Sequence, residues 1–420
     1  MESTFHNIDI EKKRYRQYAK RAHVYMTHLA DVYAKRRYDA DEAVCASIAD
    51  TAQHKAIIKK LNPFLGVRHV VLIGIGGSSL GTEAVFNALK TPTAPTLTVL
   101  DIIDNEAYHT LETICDETAS LSDTVLVVVS KSGTTMETSV NASMALTLFE
   151  SRFGARYAEQ VIVVADAESE LYRNAKKKKI LTFTIPTKVG GRYSVFTTAG
   201  LVPLTLLGVD TSALLRGARS VFTDVSHLSQ TVDRALYLAC MAEQGMHTVN
   251  FFAFSKRLTG IGLWYRQLLA ESIGKSHTKK KKPFLHALLP TVTSVADLHS
   301  VAQLYLSGYK GVYTYFFNVA NYSEFMISAH DIVPLPTLVI GRQTNEITSA
   351  LHSGVVKAYD DAHLPYSELV IPEVSPEHVG MLLTMLMVEV IVFAHLFGVD
   401  AFNQPHVESY KRYMREALAT

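Results

Sequence analysis

With 420 residues and 48% hydrophobic side chains, the chain is long enough for two or three domains around a sizeable core. Its 41 Lys plus Arg balance 40 Asp plus Glu, so the formal charge of +1 gives no global electrostatic case for nucleic acid or an anionic membrane, and any anion site has to be local. The cysteines Cys45, Cys115 and Cys240 are scattered and lack CxxC spacing, which argues against a disulfide framework or a zinc site and fits free thiols in a reducing, cytoplasmic compartment.

The first sixty residues are polar, basic and Ala-rich, with Tyr25, Leu29, Val32 and Tyr33 at helical spacing and no apolar stretch of signal-peptide length. They read as an N-terminal helical segment, 1–60. From residue 67 the texture changes to short β-branched runs at 70–73, 97–100, 125–129 and 161–164, separated by helix-like stretches. This alternation predicts βαβ units on a parallel sheet and a first α/β domain over 61–209. A break is expected near 208–211, after an apolar helix beginning around Phe196. A second α/β domain, 210–398, has strand candidates at 249–254, 312–317, 338–340 and 369–371.

Residues 379–397 are apolar over nearly the length that spans a bilayer. Glu389 and His395 interrupt them, however, while Ser375, Pro376 and Glu377 supply a helix start and Gly398 a stop, so the stretch reads as a buried core helix. Residues 404–418 read as a short amphipathic helix opened by Pro405, within a C-terminal helical arm, 399–420. The lysine runs 176–179 and 279–282 read as solvated ends, the second one able to steer anions as a secondary effect.

Two strand-to-helix turns carry chemistry. Run 70–73 leads into Gly74-Ile75-Gly76-Gly77-Ser78-Ser79-Leu80-Gly81, where glycine backbone and the next helix N-terminus offer an anion cradle. A dinucleotide reading, with Asp101 as the ribose-binding acid, stumbles on Ser79 at the third glycine position. Run 125–129 ends in Ser130-Lys131-Ser132-Gly133-Thr134-Thr135, whose hydroxyls and helix-end amides suit a phosphate monoester that is held but not cleaved. No GxxxxGK[ST] pattern points to nucleotide hydrolysis.

These segments bring out a resemblance. SKSGTT resembles the sugar-phosphate loop of SIS domains, and GIGGSSLG followed by Gly190-Gly191-Arg192-Tyr193-Ser194 resembles the glucose-6-phosphate isomerase family in particular. Three more segments match it in order: 264–275 ending in ESIGK, Asp297-Leu298-His299-Ser300, and Phe402-Asn403-Gln404-Pro405-His406-Val407-Glu408 leading to Lys411. The resemblance implies two SIS-type domains with parallel-rich sheets flanked by helices, a homodimer with shared active sites, and interconversion of glucose 6-phosphate and fructose 6-phosphate without metal or cofactor. It also implies roles. Ser130, Lys131, Ser132 and Thr135 would hold the phosphate, with Gln404 adding a contact; Gly77 and Ser78 would line the sugar; Gln267 would touch substrate. Glu271 would shuttle the proton, Arg192 would stabilise the enediolate, and His299 and Lys411 would assist ring opening.

The chemistry of the residues agrees with that allocation. An aldose-ketose exchange through an enediol needs one carboxylate poised over two carbons, a permanent cation beside the developing oxyanion, and a separate acid-base group for the closed ring. Two rivals remain at this stage: a regulator that senses a sugar phosphate, for which Glu271 would be dispensable, and a dinucleotide-dependent enzyme using the Gly74 turn.

Overall fold

The β-branched runs become strands wherever a helix can cover both faces of the sheet they join. The computed structural model describes residues 1–321 and 324–419. Ten strands among the described residues are β1 (Glu2–His6), β2 (His69–Ile73), β3 (Thr96–Leu100), β4 (Thr124–Ser130), β5 (Val161–Ala165), β6 (Leu181–Thr184), β7 (Thr248–Ala253), β8 (Leu289–Ser294), β9 (Val312–Val319) and β10 (Tyr366–Ile371). They form two five-stranded sheets, ordered β3-β2-β4-β5-β6 and β1-β10-β9-β7-β8. The first is parallel throughout. Its central strand β4 is buried at every position, as a parallel strand covered on both faces requires.

The strand order decides where a ligand can enter. Helix Leu80–Leu89 carries the chain from β2 to β3 on one side, and helix Met136–Phe153 carries it from β4 to β5 on the other. The turns after β2 and β4 therefore diverge, opening a crevice at the carboxyl ends of two neighbouring strands. Both glycine- and hydroxyl-rich turns sit there.

A contiguous apolar core links the sheets, running from Val70 and Val127 through Leu386 and Val390 to Phe251 and Tyr315. Its axis is helix Pro376–Phe397, built as its ends foretell: Ser375 accepts from the His378 amide, Pro376 opens the first turn, and Gly398 closes it in the left-handed conformation. The helix has the length and hydropathy of a membrane span, yet 94% of its most apolar window is buried inside the protein. It packs tightly on helix Thr211–Thr223; a Cβ at Gly380 would stand 1.9 Å from the Leu214 carbonyl oxygen. Glu389, completely buried, meets Arg234 Nε at 2.7 Å and accepts from the Tyr265 hydroxyl at 2.8 Å, so its charge is paired and hydrogen-bonded.

Several expectations change. The first residues are not helical: β1 pairs antiparallel with β10 and edges the second sheet, ahead of helices Lys12–Lys35, Ala43–Ala49 and Thr51–Leu61. Residues 338–340 are not a strand; Thr337–Val339 is a 3-10 turn with Leu338 exposed, and Pro334 and Pro336 just before it remove the amide donors a ladder needs. Two unforeseen strands are β6, only four residues long, and β8, which contains Pro290 and lies at a sheet edge, the place where a proline is tolerated. Pro405 opens a 3-10 turn, Pro405–Val407, that leads into helix Glu408–Leu418. The three cysteines are free and buried.

Candidate active site

The site is assembled from the turn after β2, the turn after β4, the segment around Arg192, one face of helix Thr259–Ile273 and the C-terminal arm. Leucine, tryptophan and tyrosine side chains on that helix (Trp264, Tyr265, Leu268, Leu269) face the core. Gln267 and Glu271, four residues apart and hence on one face, look the other way. Gln267 Nε2 donates to Glu271 Oε1 at 2.9 Å, which fixes the orientation of its amide because only the NH2 end can donate to a carboxylate. Its Oε1 is then buried without a partner, an acceptor left for a donor from outside the chain.

Arg192 is the hub. It is buried, and its five N–H groups are all taken: Nε by Ser272 Oγ at 2.9 Å, Nη1 by Glu271 Oε2 at 3.0 Å and Gln404 Oε1 at 2.9 Å, Nη2 by the carbonyls of Ala401 at 2.6 Å and Asn403 at 3.2 Å. The guanidinium has no spare donor, so contact with a substrate oxygen requires displacing a present acceptor, and Gln404 is the neutral, exposed side chain on Nη1. The Glu271 carboxylate is one-third exposed and receives one donor on each oxygen, an arrangement that fixes its plane and leaves further lone pairs open.

The turn after β2 presses on the segment leading to Arg192. A Cβ at Gly77 would sit 2.1 Å from the Gly191 carbonyl carbon, so only glycine lets the two backbones meet, and Ser194 Oγ donates to the Gly77 carbonyl at 3.1 Å. Ser78 ends the short 3-10 turn Gly76–Ser78 and is half-buried. The position of a Cβ on Gly76 would lie 3.0 Å from Gln267 Nε2, which puts this turn against the Gln267–Glu271 face.

The turn after β4 is the more polar wall. Ser130 is buried and approaches Thr135 Oγ1 at 3.5 Å, and Ser132 Oγ accepts from the Thr134 amide and hydroxyl. Thr135 is the N-cap of helix Met136–Phe153, but its side chain caps nothing, so the helix end keeps open amide donors and its dipole. Lys131 points away, donating to the carbonyls of Thr187 at 2.5 Å and Val189 at 3.0 Å; burial lowers its pKa. A cavity of about 190 Å³ separates Ser132, Thr134 and Thr135 from Lys411 and Arg415 of the C-terminal arm. Hydroxyls and a helix N-terminus thus face two cations across a small gap whose rim also carries Glu137, and these donors suit a phosphate.

Of the residues singled out in the sequence, Glu271, Arg192, Gln267 and Gln404 come together, Gly77 and Ser78 adjoin them, and Ser130, Ser132, Thr135 and Lys411 gather at the hydroxyl turn. His299 stands apart. It ends the turn Val295–His299 after β8, exposed, its side chain making no hydrogen bond or ion pair to another described residue. Sequence reasoning passed over Ser272, next to Glu271, and Lys275, which donates to the carbonyls of Glu271 and Asn403. The i to i+4 spacing of Glu271 and Lys275 was the available signal.

A profile of the phosphoglucose isomerase family matches residues 49–419. Among curated proteins, the glucose-6-phosphate isomerase of Carboxydothermus hydrogenoformans is 30% identical over 363 residues, covering 82% of this chain and 77% of that one. That of Onion yellows phytoplasma is 29% identical over 367 residues, covering 85% and 84%. Among solved structures, a hypothetical protein of Thermus thermophilus superposes with a TM-score of 0.86 at 25% identity, covering 99% of this chain and 100% of that one. A glucose-6-phosphate isomerase of Chlamydia trachomatis superposes with 0.75 at 21% identity over 89% and 75%, a likeness of fold.

Proposed function

Because the chain belongs to the phosphoglucose isomerase family, we propose that it interconverts glucose 6-phosphate and fructose 6-phosphate through an enediol, with Glu271 as the base. The observation that carries this reading is the convergence of Glu271, Gln267, Arg192 and Gln404 beside two anion-cradling turns. The phosphate lies between Ser130, Ser132 and Thr135 and the cation of Lys411, while Lys131 ties its turn to the segment before Arg192. The sugar rests on Gly77 and Ser78, and a hydroxyl donates to the unpaired Gln267 oxygen. Glu271 takes the C2 proton and returns it to C1. Arg192, held at Nη1 by Gln404, yields that donor to the enediolate oxygen as Gln404 turns to the phosphate.

This reading calls for no metal or redox cofactor: a carboxylate, a guanidinium, hydroxyls and helix-end amides supply the chemistry. A purified sample in chelator should therefore convert fructose 6-phosphate to glucose 6-phosphate, followed by a coupled dehydrogenase, at an unchanged rate. Loss of the reaction on chelation, restored by a divalent ion, would refute the reading.

The enzyme acts as a cytoplasmic homodimer with composite sites, His299 coming from the neighbouring subunit to open the ring. Two features support this: His299 is exposed in its own chain, and exposed apolar side chains crowd the segment bearing Phe325, Met326, Ile332, Val333 and Leu338, a surface that calls for cover. Glu271→Gln and His299→Ala proteins should each be nearly inactive alone. Dissociated and reassembled together, they should recover about a quarter of wild-type site activity, since half the dimers are mixed and each carries one intact site. Activity that stays at the mean of the parents, with subunit exchange verified by a tag, places His299 outside a shared site.

A further inference from the structure

Helix Thr259–Ile273 ends two residues after Glu271, and its last turn leaves carbonyls without amide partners. The Lys275 amide, which would serve the Glu271 carbonyl in a continuing helix, turns instead to Ile273 O at 2.8 Å. The Lys275 side chain replaces it: Nζ lies 2.5 Å from Glu271 O and 2.6 Å from Asn403 O. The Asn403 carbonyl is shared with Arg192 Nη2, which also holds Ala401 O. Asp400 braces the same strap by accepting from the Phe402 amide and Asn403 Nδ2. In helix Glu408–Leu418, Lys411 and Met414 alone among the side chains described are partly buried.

We infer that Lys275 is a positioning residue whose side chain clips the C-terminal arm to the end of the helix bearing Glu271, and so holds Gln404 and Lys411 over the site. The inference builds on the isomerase reading of those residues. A cation at a helix C-terminus is favoured by the helix dipole, and here it binds two segments at once. The arm behind it carries Lys411 to the cavity that faces the hydroxyl turn, so loosening the strap misplaces two substrate contacts together.

The clip has a pH signature. Burial lowers the Lys275 pKa to about 8, Arg192 adding to the fall while Asp400 and Glu271 oppose it. Above that pH the ammonium becomes an amine with fewer and weaker donors, and the grip on the strap slackens. Stability moves the other way. With a folded pKa below the ordinary lysine value of 10.5, the unfolded chain binds more protons between about pH 8 and 10.5, so this group's contribution to folding stability rises across that window. A fall in turnover above pH 8 caused by Lys275 is therefore not unfolding.

The test uses full-length Lys275→Gln and Lys275→Arg proteins. Trypsin nicking at Arg412 and Arg415 reports the arm without reference to activity; Lys275→Gln should accelerate it about tenfold or more. Turnover on fructose 6-phosphate should fall about 10- to 100-fold, the size of effect expected from misplaced contacts. Lys275→Arg, charged at every pH used, should restore most turnover and move the alkaline limb of the wild-type profile upward. Unchanged nicking and turnover in Lys275→Gln overturn the inference, as does an alkaline limb that stays in place in Lys275→Arg. If the wild type has no isomerase activity, the isomerase reading fails on its own, and the nicking rates still decide whether the clip exists.

Discussion

Glu271→Gln should lower the rate of sugar-phosphate isomerisation by about 10²- to 10⁴-fold, the loss expected when a general base is removed. The substitution is nearly isosteric, and the geometry explains what it keeps and what it destroys. The new amide oxygen can still accept from Arg192 Nη1, and Gln267, no longer facing a carboxylate, can turn its own unpaired oxygen to the NH2 end. The phosphate turn after β4 is untouched, so binding of substrate or of inorganic phosphate should change little. Exchange of solvent hydrogen into the substrate should fall in step with turnover, because both require the same proton to leave carbon. A variant that retains most of its turnover would assign the base to another residue.

Arg192→Met should be nearly as damaging to activity and more damaging to the fold. Loss of the cation beside the developing oxyanion costs about 10²- to 10³-fold in turnover, by analogy with removal of one oxyanion donor. Five acceptors lose one donor each at once, among them the Glu271 carboxylate, Ser272 and two carbonyls of the strap. Breaking a buried pair from one side destabilises by about 3–5 kcal/mol, and the one-third exposure of Glu271 places the expected loss at the lower end of that range. Thermal melts should show it as a fall of several degrees or more. Arg192→Lys separates charge from shape: it keeps the cation but cannot serve five acceptors from a planar fork, so most of the loss should persist. If Arg192→Lys kept turnover and melting temperature together, charge alone would be the working feature.

Much of this is visible in residue order, and the failures have physical causes. The wholly buried β4 and its hydroxyl turn stand out because a strand covered on both faces needs an unbroken apolar run, and such a run is easy to see. Spacing alone places Glu271 and Gln267 on one face. By contrast, the acceptors at Ala401 and Asn403 are main-chain carbonyls, which leave no mark in the choice of side chain, so nothing in the sequence announces the strap. Residues 338–340 mislead because three apolar side chains look alike whether they fill a sheet or lie on a surface; Pro334 and Pro336 are the contrary signal. Edge strands β1 and β8 carry weak patterns because one side of each has no ladder to satisfy.

The antiparallel pairing of β1 with β10, Glu2 opposite Val370 and His6 opposite Tyr366, also bears on how the chain comes to be folded. Strands β2 to β6 follow one another closely, so the first sheet can be completed from neighbouring segments as they leave the ribosome. The second sheet has no such independence. Its outer strand precedes every other described strand along the chain and the partner of that strand follows them all, so the edge stays unpaired until β10 is made. Closing so long a loop is slow, and an unpaired strand is open to wrong partners in the meantime.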